Sequence, residues 1–262
     1  MVMKTKLLLI AIILFSTSSF ISNRPVTVFM IGDSTMANRS IQNKNNKERG
    51  WGMMLAGCLT DRVIVDNHAA SGRSTKSFIN EKRWERVLDR IQPGDYVFIQ
   101  FGHNDEKEDP KLHTEPGTTF DDNLRKFVAE TRSKGGIPVL FNSMVRRKFY
   151  CNENGLYTDS LIDTHGDYLL SPKRIAEEKG VVFIDMNKIT HDLVKQMGPE
   201  KSKELFMWVG KRKDDTHLNI KGARIVLHWQ LKKSAKRFRL WAKRSGVMIM
   251  LLLPMEAEIF SH

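Results

Sequence analysis

Five short apolar runs punctuate the chain, at residues 26–31, 63–66, 96–101, 137–141 and 181–184, each rich in valine, isoleucine and phenylalanine and bounded by glycine, aspartate or asparagine. Runs that are apolar at nearly every position, rather than at alternate ones, predict strands buried on both faces, as in a parallel sheet. Helical spacing fills the intervals. Phe120, Leu124, Phe127 and Val128 recur with a helical period after the capping candidates Thr118 and Thr119, and Gly135 and Gly136 stop the pattern. Residues 74–90 read as one helix, and 163–178 as another, with Pro172 inside it as the cause of a kink. Strands separated by helix-length connections predict a three-layer α/β/α sandwich around a doubly wound, mostly parallel five-stranded sheet. In such sheets binding sites form at the carboxyl ends of the strands.

Both ends depart from this pattern. Lys4 and Lys6 precede an apolar run at residues 7–15, and Ser16, Thr17, Ser18 and Ser19 then supply small residues. The three parts together have the layout of a secretory signal peptide. The run is short for a bilayer span, and no cysteine follows it as a lipid-anchored leader would need. Residues 1–22 are therefore expected to be a signal peptide, residues 23–226 one domain, and the protein secreted or periplasmic. An oxidising compartment would permit Cys58 and Cys151 to pair, but two cysteines so far apart are a weak framework signal. Residues 227–262 form an atypical tail, basic on every side as far as Arg244 and then apolar at 247–253. One reading is a basic membrane-contacting appendage. The favoured reading is a segment from an altered reading frame that packs poorly.

Composition narrows the class without choosing a function. Hydrophobic residues make up 41% and charged ones 27%, which excludes wholesale disorder, collagen and multi-span membrane proteins. The 42 lysines and arginines against 30 acidic residues leave a net charge of +12. Eight of the basic residues lie between Arg224 and Pro254, where no acidic residue occurs, so no nucleic-acid-binding face is implied for the domain. No stable membrane span is expected, and the chain is expected to be a monomer.

The candidate chemistry sits at strand ends. The first strand runs into Gly32-Asp33-Ser34-Thr35, the second into a stretch containing Gly72-Arg73-Ser74, and the third into Gly102-His103-Asn104-Asp105; Asp214-Asp215-Thr216-His217 opens a later helical pattern. Taken alone, Gly-Asp-Ser is a turn followed by a helix cap. A serine at a strand end becomes a nucleophile only with a base beside it, and a histidine serves as that base when a carboxylate holds its other ring nitrogen. His68, His103, His113, His165, His191 and His228 show no metal-ligand spacing, so neither a metal nor another cofactor is expected. Asp33 and Asp105 resemble a glycosidase pair only loosely, because that mechanism needs no serine between strand and helix.

The four blocks, in this order and strand context, resemble the SGNH hydrolases, also called the GDSL esterase family, over roughly residues 26–223. Within it, Arg49-Gly50-Trp51-Gly52, Gly72-Arg73-Ser74-Thr75 followed by Phe78, and the Asp-Asp-Thr-His block are most similar to the rhamnogalacturonan acetylesterases. The resemblance implies Ser34 as nucleophile, His217 as base and Asp214 as its partner, with Asp215 the alternative. It also implies an oxyanion hole from the backbone amides of Ser34 and Gly72 and the side chain of Asn104. A pectic substrate carries carboxylates, which makes Arg49 and Arg73 candidate substrate contacts and Trp51 a candidate stacking platform. The implied function is a secreted esterase that removes acetyl groups from pectic polysaccharide. The alternatives are an esterase for another acylated glycan, such as xylan, or for a lipid, and a non-catalytic carbohydrate- or anion-binding module of the same fold.

Overall fold

The computed structural model describes residues 24–43 and 45–234; the leader at 1–22 and tail positions 235–262 lie outside the described residues. In chain order the elements are β1 (Val26–Gly32), β2 (Val63–Asn67), α1 (Thr75–Asn80), α2 (Arg83–Leu88), β3 (Tyr96–Gln100), α3 (Thr119–Ser133), β4 (Ile137–Phe141), β5 (Phe149–Cys151), β6 (Tyr157–Leu161), α4 (Leu170–Lys179), β7 (Val182–Ile184), α5 (Met186–Lys201), β8 (Phe206–Val209), β9 (Arg212–Leu218) and α6 (Ile220–Lys233). The main sheet has the order β2-β1-β3-β4-β7, and all four pairings are parallel.

Strand periodicity divides the core into two layers. Val28, Met30, Phe98, Val139 and Phe141 point to one face, where Trp51, Leu55, Leu193, Val194, Ile225 and Val226 cover them. Their neighbours Phe29, Ile31, Val97, Ile99 and Leu140 point to the other face, against Phe78, Trp84, Phe120, Phe127 and Ile175. Every position of β1 from Val28 onward is therefore buried, as the uninterrupted apolar run requires.

Several local expectations are corrected. The 74–90 segment is two helices, because Lys82 adopts a left-handed conformation with φ 56°. Thr118 stands at the N-cap of α3 without capping it; the first turn is braced instead by Gly117 N donating to Asp121 Oδ1 at 2.9 Å. Pro172 kinks nothing, since α4 starts only at Leu170 and the first helical turn needs no proline N–H. The Asp-Asp-Thr-His block lies on β9, paired antiparallel with β8, and the helix begins beyond it at Ile220, capped by the Asn219 side chain. The compositional break at 226 falls inside α6, which continues to Lys233 with Leu227, Trp229 and Leu231 buried. That stretch packs, although the amide of buried Gln230 finds no hydrogen-bond partner. Cys58 is partly buried, Cys151 is exposed, and both are free thiols. Among the described residues no helix is long and apolar enough to cross a membrane.

Candidate active site

Ser34 stands two residues beyond the end of β1, where Asp33 turns the chain: its Oδ1 accepts hydrogen bonds from Thr35 N at 2.8 Å and from Thr35 Oγ1 at 2.7 Å. The serine Oγ lies 2.9 Å from His217 Nε2, and His217 Nδ1 lies 2.9 Å from Asp214 Oδ2. The three-residue spacing of Asp214 and His217 has a local cause. Asp214 Oδ1 accepts both Thr216 N and His217 N at 2.9 Å, so a side-chain-to-backbone turn presents Oδ2 to the ring. Burial works against the Asp214 charge, but the bonds from the His217 ring and backbone, Arg212 and Thr216 hold its carboxyl well below the usual range. Asp215 is turned elsewhere: its Oδ1 accepts Trp208 Nε1 at 2.8 Å and pairs with Arg147 Nε at 3.0 Å.

Gly72 and Asn104 share one loop cluster tied to the end of β1. Ala70 N donates to Gly32 O at 2.9 Å, which lays the loop after β2 along the end of β1. Gly72 has φ 75°, and a Cβ there would meet nothing within 4 Å, so backbone conformation rather than crowding calls for glycine. Asn104 Nδ2 donates to Arg73 O at 3.0 Å, and its Oδ1 accepts Lys107 Nζ at 2.7 Å. These contacts fix the amide orientation and leave the second Nδ2–H for another acceptor. Asp105 ties the two loops, accepting Thr75 N at 2.9 Å and Thr114 Oγ1 at 3.0 Å.

A row of titratable groups runs inward from Asp33, the residue before the serine. His103 is 3.5 Å from Asp33 and packs edge-on against His165, which bonds Glu106 at 2.7 Å. Burial pushes His103 down to about 4 despite its attraction to Asp33, with His165 and Arg146 reinforcing the push. Burial likewise pushes Asp105 up to about 7, more than its bonds from Thr75 and Thr114 oppose, and Asp33 adds repulsion.

Of the residues expected to touch substrate, two are corrected. Trp51 is fully buried; its Nε1 donates to Gln100 Oε1 at 2.7 Å and its ring packs on Phe141, so it offers no face to a sugar. Arg49 is also buried, with Nη1 spent on the carbonyls of Asn46 at 2.8 Å and Glu48 at 2.7 Å. The Arg-Gly-Trp-Gly block is a packing device: a Cβ at Gly50 would lie 2.4 Å from Ala37 O, and one at Gly52 2.6 Å from Met36 O. The block thereby clamps the segment that follows Ser34. Arg73 differs, since its side chain is about a third exposed, with Nε on Glu81 at 3.1 Å and Nη1 on Ser71 O at 2.8 Å.

Sequence reasoning missed Arg39, Glu48 and Arg212. Arg39 Nη2 reaches Ser34 O at 3.3 Å and its Nε donates to Glu48 Oε1 at 2.9 Å. Arg212 Nη2 joins Glu48 Oε2 at 2.8 Å to Asp214 Oδ2 at 2.5 Å. Glu48 and Arg212 are marked in the sequence only by standing beside the Arg-Gly-Trp-Gly and Asp-Asp-Thr-His blocks, and Arg39 carries no such signal.

A serine, imidazole and carboxylate in hydrogen-bonded series at the carboxyl edge of a parallel sheet can perform acyl transfer from an ester without a metal ligand set. The sequence pattern of the GDSL-like lipase/acylhydrolase family matches residues 30–225, and the chain belongs to this family of carboxylic ester hydrolases. Among its relatives, rhamnogalacturonan acetylesterase RhgT of Bacillus subtilis is 37% identical over 209 residues, 76% of this chain and 85% of RhgT. The rhamnogalacturonan acetylesterase of Emericella nidulans is 26% identical over 232 residues, 82% of this chain and 87% of its own. The crystal structure of protein YxiM from Bacillus subtilis superimposes with a TM-score of 0.69 at 27% identity, covering 82% of this chain and 57% of that one.

Proposed function

We propose that the protein removes acetyl groups from a rhamnogalacturonan-type pectic polysaccharide outside the cytoplasm, through an acetyl-Ser34 intermediate. The observation that carries the chemistry is the pair of 2.9 Å contacts linking Ser34, His217 and Asp214. Similarity to RhgT supports the substrate class. The leader pattern around Lys4, Lys6 and residues 7–15 supports export.

In this reading Ser34 Oγ attacks the acetyl carbonyl carbon while its proton passes to His217 Nε2. Asp214 holds Nδ1–H and stabilises the imidazolium. Charge on the carbonyl oxygen is met by the amides of Ser34 and Gly72 and by Asn104 Nδ2. The tetrahedral adduct collapses, the C–O bond to the sugar breaks, and His217 returns the proton to the departing sugar oxygen. Water then attacks the acetyl-serine, giving up a proton to His217; acetate leaves and Ser34 regains its proton.

The test is acetate release from acetylated rhamnogalacturonan, acetylated xylan and a neutral aryl acetate, by the full protein and by Ser34→Ala. Highest kcat/KM on rhamnogalacturonan, abolished in a folded Ser34→Ala, is the expected result. Preference for xylan would overturn the substrate, and activity retained in Ser34→Ala would overturn the mechanism.

A further inference from the structure

The Ser34, His217 and Asp214 series closes into a ring of polar contacts. From Ser34 O the path runs to Arg39, Glu48, Arg212, Asp214, His217 and back to Ser34 Oγ. Glu48 is the one member that touches both arginines, and its Oε1 also lies 4.0 Å from His217 Nε2. Its place is fixed by the backbone: Glu48 forms an antiparallel bridge with Asn219, and Arg49 N donates to Leu218 O at 2.9 Å.

We propose that Glu48 is a positioning residue of the esterase site, which restrains Arg212 from drawing Asp214 away from His217 and opposes the positive charge that His217 gains during turnover. The proposal rests on the reading of Ser34, His217 and Asp214 as the catalytic series.

Asp214 Oδ2 is shared between His217 Nδ1 and the Arg212 guanidinium. A cation on that oxygen withdraws the negative charge that an imidazolium needs. Glu48 Oε2 binds the same Arg212 nitrogen and offsets the withdrawal. The charged groups facing the ring are Asp214 and Arg212 from β9, Glu48 from the segment beside it and, through Glu48, Arg39. Two cations and two carboxylates balance while the imidazole is neutral, and the cluster rises to one positive charge when the ring takes the Ser34 proton. Without the Glu48 charge those totals become one and two. The Glu48 and Asp214 side chains are 12% and 17% exposed, whereas His217 is 28% and Arg212 43% exposed, so solvent screens part of the difference. Burial disfavours a charged Glu48, but Arg212, Arg39 and His217 together hold its carboxyl below the usual range, so it is ionised across the working pH.

A purely structural Glu48, tying the Arg-Gly-Trp-Gly segment to the hairpin, would leave the pH dependence alone. The test therefore compares pH profiles of kcat and kcat/KM on a neutral aryl acetate for the wild-type full chain, Glu48→Gln, Arg212→Gln and the double variant, with Ser34→Ala in parallel. Glu48→Gln should lower kcat about tenfold, leave KM within about threefold, and move the acid limb of kcat/KM to lower pH by about one unit. Arg212→Gln should move that limb to higher pH, and the double variant should lie near wild type. A folded Glu48→Gln with the wild-type kcat and limb would overturn the proposal, as would shifts of the same sign in both single variants. If Glu48→Gln does not fold, Glu48→Ala is read in the same way: a limb moved to lower pH supports the proposal and an unmoved limb overturns it. Activity retained in Ser34→Ala would instead bring down the reading of the catalytic series on which the proposal rests.

Discussion

The carboxylate of Asp215 accepts the Trp208 indole N–H at 2.8 Å, while its neighbour Asp214 takes the His217 ring. Adjacent residues on β9 thus serve different elements, and Asp215 anchors Arg147, which is buried with its guanidinium 4.6 Å from the Trp208 ring centroid. Asp214→Asn should reduce kcat by about ten-thousand-fold, as the wrong imidazole tautomer does in serine proteases. Asp215→Asn should keep kcat within a few-fold and lose about 1–2 kcal/mol of stability, the partial exposure of Asp215 moderating the broken ion pair. Steady-state kinetics and thermal unfolding of both variants check this, and the reverse ranking would reassign the pair.

Asn104→Ala removes a side-chain donor and should lower kcat about 100- to 1000-fold with KM little changed. Gly72→Ala meets no steric obstacle but is strained by about 1–2 kcal/mol at φ 75°, so the protein should fold with a reduced kcat. Wild-type kcat in Asn104→Ala would exclude that amide from the oxyanion hole.

Asp105 gives the protein a pH dependence of known sign. Its folded value of about 7 lies above the ordinary value of about 3.9, so its stabilising contribution is complete below about pH 4 and is lost as pH rises through 7. His103 acts oppositely: with a folded value of about 4, its contribution is complete above about pH 6.5 and is lost as pH falls through 4. Asp105→Asn removes only the first effect. Relative to wild type the variant should gain about 1 kcal/mol, or a few degrees in Tm, as pH rises from about 6.5 to about 8. A Tm difference that does not change over that range would contradict a raised Asp105.

Trp51 and Arg73 should separate cleanly by assay. Trp51→Phe leaves the buried Gln100 Oε1 without its donor, while Nε2 keeps Asn142 O, and should cost about 1–3 kcal/mol of stability while leaving KM unchanged. Arg73→Ala should raise KM for a carboxylate-bearing acetylated polymer more than for an aryl acetate, and added salt should shrink the contrast. Equal effects on both substrates would limit Arg73 to bracing its loop.

The sequence by itself determined the layered fold, because fully buried strands demand apolar side chains on both faces and leave runs such as residues 26–31 and 96–101 plainly visible. It also placed Ser34 and the Asp-Asp-Thr-His block in contiguous stretches of the chain, with Asp215 open as the alternative to Asp214; the fold sets Asp214, not Asp215, against the His217 ring. Tertiary structure decided what depends on distant partners. Whether Trp51 meets sugar or core turns on Gln100 and Phe141, and whether Arg49 reaches solvent turns on carbonyls that its own turn directs inward. The β8–β9 pairing was hidden because β9 is largely polar, and a half-exposed hairpin strand has no uninterrupted apolar run to announce it. Glu48 and Arg212 are 164 positions apart, and a charged residue carries no periodic signal, so only the folded chain could bring them together around His217.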